Sequence, residues 1–87
     1  MKPNILTKTL KNAAKKEKDL DQYLDILLSP KEKNDIENRI KILTDLLQNK
    51  PQRQIAQDQK VSIYKVTRGA RLTQHHQKFL EKILSKT

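Results

Sequence analysis

Residues 36–47 carry more apolar surface than one short helix can hide against a single neighbour. Ile36, Ile40, Leu43 and Leu47 recur at three- and four-residue spacing, and Ile42 and Leu46 widen the stripe. That period is helical. A face this broad calls for burial between two neighbours, as in the core of a dimer. The chain has 87 residues, a size at which one hydrophobic core is marginal and association makes up the shortfall.

The same period runs through the rest of the chain, and no segment alternates β-branched with polar residues in the manner of a strand. The expected fold class is therefore all-α. From Asn4 to about Lys18, Ile5, Leu6, Leu10, Ala13 and Ala14 share a stripe, with lysines on the other face. Residues 1–18 read as a basic N-terminal arm or helix, and residues 19–87 as one domain. In DLDQYLDILL, residues 19–28, Leu20, Tyr23, Leu24 and Leu27 repeat helically, with Asp19 as the expected cap. SPKE, residues 29–32, is the strongest start signal. It places Ser29 at the N-cap, Pro30 at the first helical position and Glu32 where a capping box needs it. QNKP, residues 48–51, ends that helix.

Charge divides the chain in three. Residues 1–18 hold six lysines and one glutamate, residues 19–47 seven acids and four bases, and residues 48–87 nine bases and two acids; the net is +9. A basic footprint on a small domain points to a polyanionic partner. There is no cysteine, hence no disulfide or thiolate metal site. No early apolar run follows Met1-Lys2, and no stretch approaches the roughly 20 apolar residues that cross a bilayer. A cytoplasmic location and no membrane partner are expected.

Residues 52–70, QRQIAQDQKVSIYKVTRGA, have the spacing of a helix-turn-helix. The first helix would span about Gln52 to Gln59, the turn would fall at Lys60 and Val61, and Ser62 would cap the second helix. Ile55, Val61 and Val66 would form the shared core, with Ala56 at the crossing. The unit extends to about residue 71. Ser62, Ile63, Tyr64, Lys65 and Thr67 then lie at the end of the helix that enters a DNA major groove in this motif. Arg53 can reach a guanine edge or a phosphate, and Lys50, Lys60, Lys65 and Arg71 can neutralise phosphates. The turn lacks its usual glycine, and Gln59 stands where an apolar residue would be more comfortable. The chain's one glycine is Gly69, inside YKVTRGAR. Two readings stand: a helix C-cap, or a place where something approaches the backbone closely.

With SPKE, Arg39 and VTRG (residues 66–69) quoted, the chain resembles the trp repressor family from about Leu27 to Leu84. LLSPKEKNDIENRIKILTDLL is similar to that family's central helix and the turn before it, and FLEKIL, residues 79–84, to its closing helix. The resemblance implies an intertwined all-α homodimer whose two helix-turn-helix units meet successive major grooves of double-stranded operator DNA. It implies a bacterial-type, nucleoid-associated repressor with L-tryptophan as corepressor and no prosthetic group. The ligand residues it implies are Arg39 and Arg68 on the two sides of the indole, Gly69 leaving room for it, Ser29 at the pocket mouth, and the backbone carbonyls of Ile26 and Leu28 from the partner chain receiving the ammonium group. Arg53 matches the family's base-contacting arginine.

The chain departs from the family pattern in identifiable places. Ala70, Arg71 and Leu72 stand where a serine would help hold the ligand's amino group. Lys65 replaces a small threonine of the indole pocket, and Ala56 a DNA-contacting lysine. The connection from VTRG to FLEKIL is shorter, so the recognition helix or the turn after it must differ. A ligand-independent DNA binder on the same scaffold is the alternative. A helical protein-interaction module with a basic face, and a polyanion or membrane-surface binder acting through residues 1–18, are rivals from other classes. His75 and His76 are adjacent and point about 100° apart on a helix, with no carboxylate pair to complete a metal site. Asp19, Asp21 and Asp25 read as a solvated face. No nucleophile–base arrangement or phosphate loop is present, and no enzyme is expected.

Overall fold

Side-chain caps at Asn4, Ser29 and Ser62 fix where half of the helices begin. The computed structural model describes residues 4–85, which form six α-helices and, among the described residues, no strand. They are α1 (Ile5–Ala13), α2 (Glu17–Leu27), α3 (Pro30–Leu47), α4 (Gln52–Gln59), α5 (Ile63–His75) and α6 (Gln77–Leu84). They group into two compact units, the first ending at Asp35 and the second beginning at Ile36, within α3.

In the first unit, the Asn4 side chain caps α1 by accepting from the N–H groups of Leu6 and Thr7 at 3.0 and 3.3 Å. α1 stops at Ala13 rather than Lys18, and Lys18 already belongs to α2. The expected cap at Asp19 is also corrected. The N-cap is Lys16, with no side-chain bond, and Asp19 sits with Glu17 inside the first turn. There the two acids face the positive end of the helix dipole, which serves the same end less directionally. The Tyr23 hydroxyl of α2 donates to Thr9 Oγ1 of α1 at 2.8 Å, and Thr9 Oγ1 in turn donates to the Ile5 carbonyl at 2.8 Å.

The capping box at the start of α3 is fully formed. Ser29 N–H donates to Glu32 Oε1 at 2.9 Å, and Glu32 N–H donates to Ser29 Oγ at 3.2 Å. The Ser29 backbone N–H foremost, and the Ser29 side chain after it, hold the Glu32 carboxyl below the ordinary glutamate range. Lys33 adds an ion pair with Asp25 at 2.7 Å.

In the second unit the core is small. Ile42 of α3, Ile55 of α4 and Val66 of α5 are 4%, 0% and 0% exposed, with Leu46, Ala56 and Val61 packed around them. The broad stripe of α3 is only partly covered: Ile36 and Ile40 stay exposed. Leu72, Phe79 and Ile83 on α5 and α6 are exposed as well. α3 ends in a left-handed residue, Asn49 at φ 62°. The N–H groups of Asn49 and Lys50 close it on the carbonyls of Leu46 and Asp45 at 3.0 and 3.2 Å. No helix among the described residues is long and apolar enough to cross a membrane.

Candidate nucleic-acid interface

The end of α5 nearest the turn is positioned by two backbone devices in succession. Lys60, just after α4, is left-handed at φ 53° and ψ 47°. Its N–H bonds the Gln57 carbonyl at 3.3 Å, and the Val61 N–H bonds the Ala56 carbonyl at 3.1 Å. This is the paired closure of a Schellman motif, and the two residues it joins, Val61 and Ala56, both pack on the core. A lysine in this conformation costs about 1–2 kcal/mol that glycine would not. The chain then turns extended at Ser62, whose Oγ accepts from the Lys65 N–H at 3.3 Å and starts α5. The expected turn and cap stand where the sequence pattern places them.

Ser62, Ile63, Tyr64 and Lys65 are all exposed in and just before the first turn of α5, with Tyr64 72% exposed. An exposed aromatic beside a lysine at a helix N-terminus offers both apolar contact and positive charge to one partner. Thr67 lies one turn further on, half-buried. Its hydroxyl donates to Gln52 Oε1 at 3.1 Å, joining α5 to the first residue of α4. Arg53 follows Gln52 and is exposed. α5 contains Lys65, Arg68 and Arg71 and no acid. Of the expected phosphate contacts, Lys60 is exposed, whereas Lys50 holds Asp45 Oδ1 at 3.3 Å. A phosphate must compete with that carboxylate for Lys50.

Two contacts escaped the sequence reading. Gln52–Thr67 spans 15 residues, and Gln59 Nε2 donates to Asp45 Oδ2 at 2.8 Å across 14. Only the awkward position of Gln59 signalled either one.

Gly69 is not a C-cap. α5 continues through it to His75, and its φ is not positive. It is buried in the middle of the helix. A Cβ there would stand 3.1 Å from Ile42 Cγ2 and 3.2 Å from Leu46 Cδ1. Its missing side chain lets α5 approach α3, and the residues that fill the space are from α3 itself. The shortened connection after it resolves in the same way. α5 runs its full 13 residues and a single residue, His76, joins it to α6.

Of the other implied ligand residues, Arg39 is exposed on α3, one turn before the Ile42 and Leu43 that face Gly69, and Arg68 is exposed on α5. Ile26, Leu28 and Ser29 belong to the first unit. Ile26 is exposed near the C-terminus of α2 and Leu28 is its extended C-cap. The last carbonyls of a helix lack intrahelical partners and carry its negative end. Ser29 is engaged in the capping box through both its N–H and its hydroxyl.

A family model described as Trp repressor protein matches residues 4–87. Comparison with curated proteins and with solved structures gives no match.

Proposed function

The chain belongs to the Trp repressor family, whose members are non-enzymatic DNA-binding transcriptional regulators, and from that premise we propose that it is a sequence-specific repressor acting as a homodimer on a two-fold operator. The observation that carries this reading is the Schellman turn at Lys60 followed by the Ser62 cap. Together they leave the first turn of α5 exposed, with Arg53 available on α4. That first turn enters the major groove, Arg53 reads a base edge, and Lys60 and Lys65 meet phosphates. The homodimer rests on Ile36, Ile40, Leu72, Phe79 and Ile83, which are exposed around a core of three buried side chains. Its half-sites lie about 34–36 Å apart, one turn of DNA. The division into a basic segment, 1–18, and a dimerisation and helix-turn-helix domain, 19–87, belongs to the same proposal.

The test is a duplex selected from a random pool by the purified protein. Arg53→Ala is expected to cost about 1–3 kcal/mol and to relax base preference at one position. Loss of affinity shared equally by every sequence would instead favour a non-specific basic surface. A monomer by sedimentation at the concentrations that occupy the duplex would sink the two-fold architecture.

The corepressor has two readings, each with its own support. L-tryptophan is supported by Arg39 and Arg68, exposed on α3 and α5, where guanidinium groups suit an aromatic face and a carboxylate. Ligand-independent binding is supported by the space beside Gly69, which Ile42 and Leu46 fill, and by Lys65 in place of a small pocket residue. Calorimetry with L-tryptophan on the wild type and Arg68→Ala separates them. Saturable binding lost in the variant supports the corepressor pocket, and no binding at millimolar ligand favours a constitutive DNA binder or one with a different ligand.

A further inference from the structure

Gln59, the last residue of α4, is half-buried. It uses one end of its amide on Asp45, and its Oε1 is buried with no hydrogen-bond partner. A buried carbonyl left unpaired is costly, and a leucine of similar size would avoid the cost. Asp45 is committed as well. Its Oδ2 receives Gln59, its Oδ1 receives Lys50, and its backbone carbonyl closes the end of α3.

The contact lies beside the only three buried apolar side chains among the described residues. Apolar contact is non-directional, so so small a core resists separation of α3 and α4 better than it resists rotation. An amide donor on a carboxylate has a direction. The bond is made one residue before the left-handed Lys60 that aims α5. Whatever angle Asp45 and Gln59 set is passed through the turn to the exposed first turn of the recognition helix.

We propose that Asp45 and Gln59 are positioning residues that hold the helix-turn-helix at a fixed rotation on α3 and so set the half-site spacing the dimer accepts, at the expense of stability. The inference rests on the dimeric operator-binding reading above. α3 is the helix that reading places in the shared core, so rotation of each reading unit on α3 changes the separation of the two.

The experiment measures affinity for the selected operator and for versions with one base pair added or removed between half-sites, together with thermal stability. Gln59→Leu is expected to raise the melting temperature, leave binding to an isolated half-site unchanged, and reduce discrimination between correct and altered spacing by roughly tenfold, the scale of one hydrogen bond to a charged group. A second pair of variants does not depend on leucine being accommodated. Gln59→Glu alone opposes two carboxylates and loses discrimination. Gln59→Glu combined with Asp45→Asn exchanges donor and acceptor and restores it. Undiminished discrimination in Gln59→Leu, a fall in its stability, or failure of the exchanged pair to restore spacing preference would overturn the proposal. A wild type indifferent to spacing would fail earlier, and would take the dimeric reading with it.

Discussion

Helices α1 and α2 contain no buried residue, whereas α3, α4 and α5 seal Ile42, Ile55 and Val66 from water. The first unit is organised by local polar devices: the Asn4 cap, the Tyr23–Thr9 bond, the Asp25–Lys33 pair and the Ser29–Glu32 box. Its apolar residues, Ile5, Leu6, Ile26 and Leu27 among them, remain exposed. Caps and exposed ion pairs contribute about 1 kcal/mol or less each, while full burial of one aliphatic side chain contributes about 1.5–3 kcal/mol. The second unit holds the reading end on a core of its own. The first has helices that are poorly covered, a state that the homodimer proposed above would complete with a partner chain.

The sharpest test of that contrast is Ile55→Ala. Removing a fully buried side chain from a three-residue core is expected to cost about 2–5 kcal/mol in chemical denaturation. A loss well under 1 kcal/mol would mean the second unit is no better cemented than the first. Gly69→Ala comes next. Alanine favours the helix by about 1 kcal/mol, but its Cβ meets the Cγ2 methyl of Ile42, a β-branched side chain stiff at χ1, and overpacking costs about 1–3 kcal/mol. A net loss of about 1 kcal/mol is expected, and a gain would show that Ile42 and Leu46 yield.

Ser29→Ala probes the first unit. At an exposed cap the expected loss is about 0.5 kcal/mol. It should be read as fraying of the start of α3 by amide exchange, with the protection of Ile55 and Val66 unchanged. A global loss as large as that of Ile55→Ala would erase the distinction between the units. The smallest effect is the pH dependence of the same box. Glu32 is held below its ordinary range in the folded protein, so its contribution is present above the unfolded value and disappears as pH falls through the lower folded one. Protection at the start of α3 should therefore drop in acid, and Glu32→Gln should flatten the profile.

These residues also show what a sequence can say about itself. The Ser29 box, the Ser62 cap and the helix limits at Leu47 and Gln59 were legible because each depends on neighbours within four positions. Ile55, Val61 and Val66 were legible as a core because helical spacing puts them on one face. The left-handed Lys60 carried no residue signal, since lysine does not advertise that conformation. Of the two readings open for Gly69, the helix stop fails and the close approach holds, but what approaches lies on α3, more than twenty positions away, where no local pattern could name it. Asp45 and Gln59 were invisible as a pair for the same reason of distance. For the candidate site, the exposed face of α5 could be drawn in advance, but the contacts that aim it could not.

Gly69 is the seventh of the thirteen residues of α5, with six on either side. At 1.5 Å per residue the two arms are each about 9 Å long. At the midpoint the bare backbone of Gly69 lies against Ile42 and Leu46, and on the Ile63 side Val66 and Thr67 tie the helix to α4 as well. The two arms are therefore held unequally: the Ile63 arm is fixed to α4 within one turn of the midpoint, and the His75 arm passes through the single residue His76 into α6.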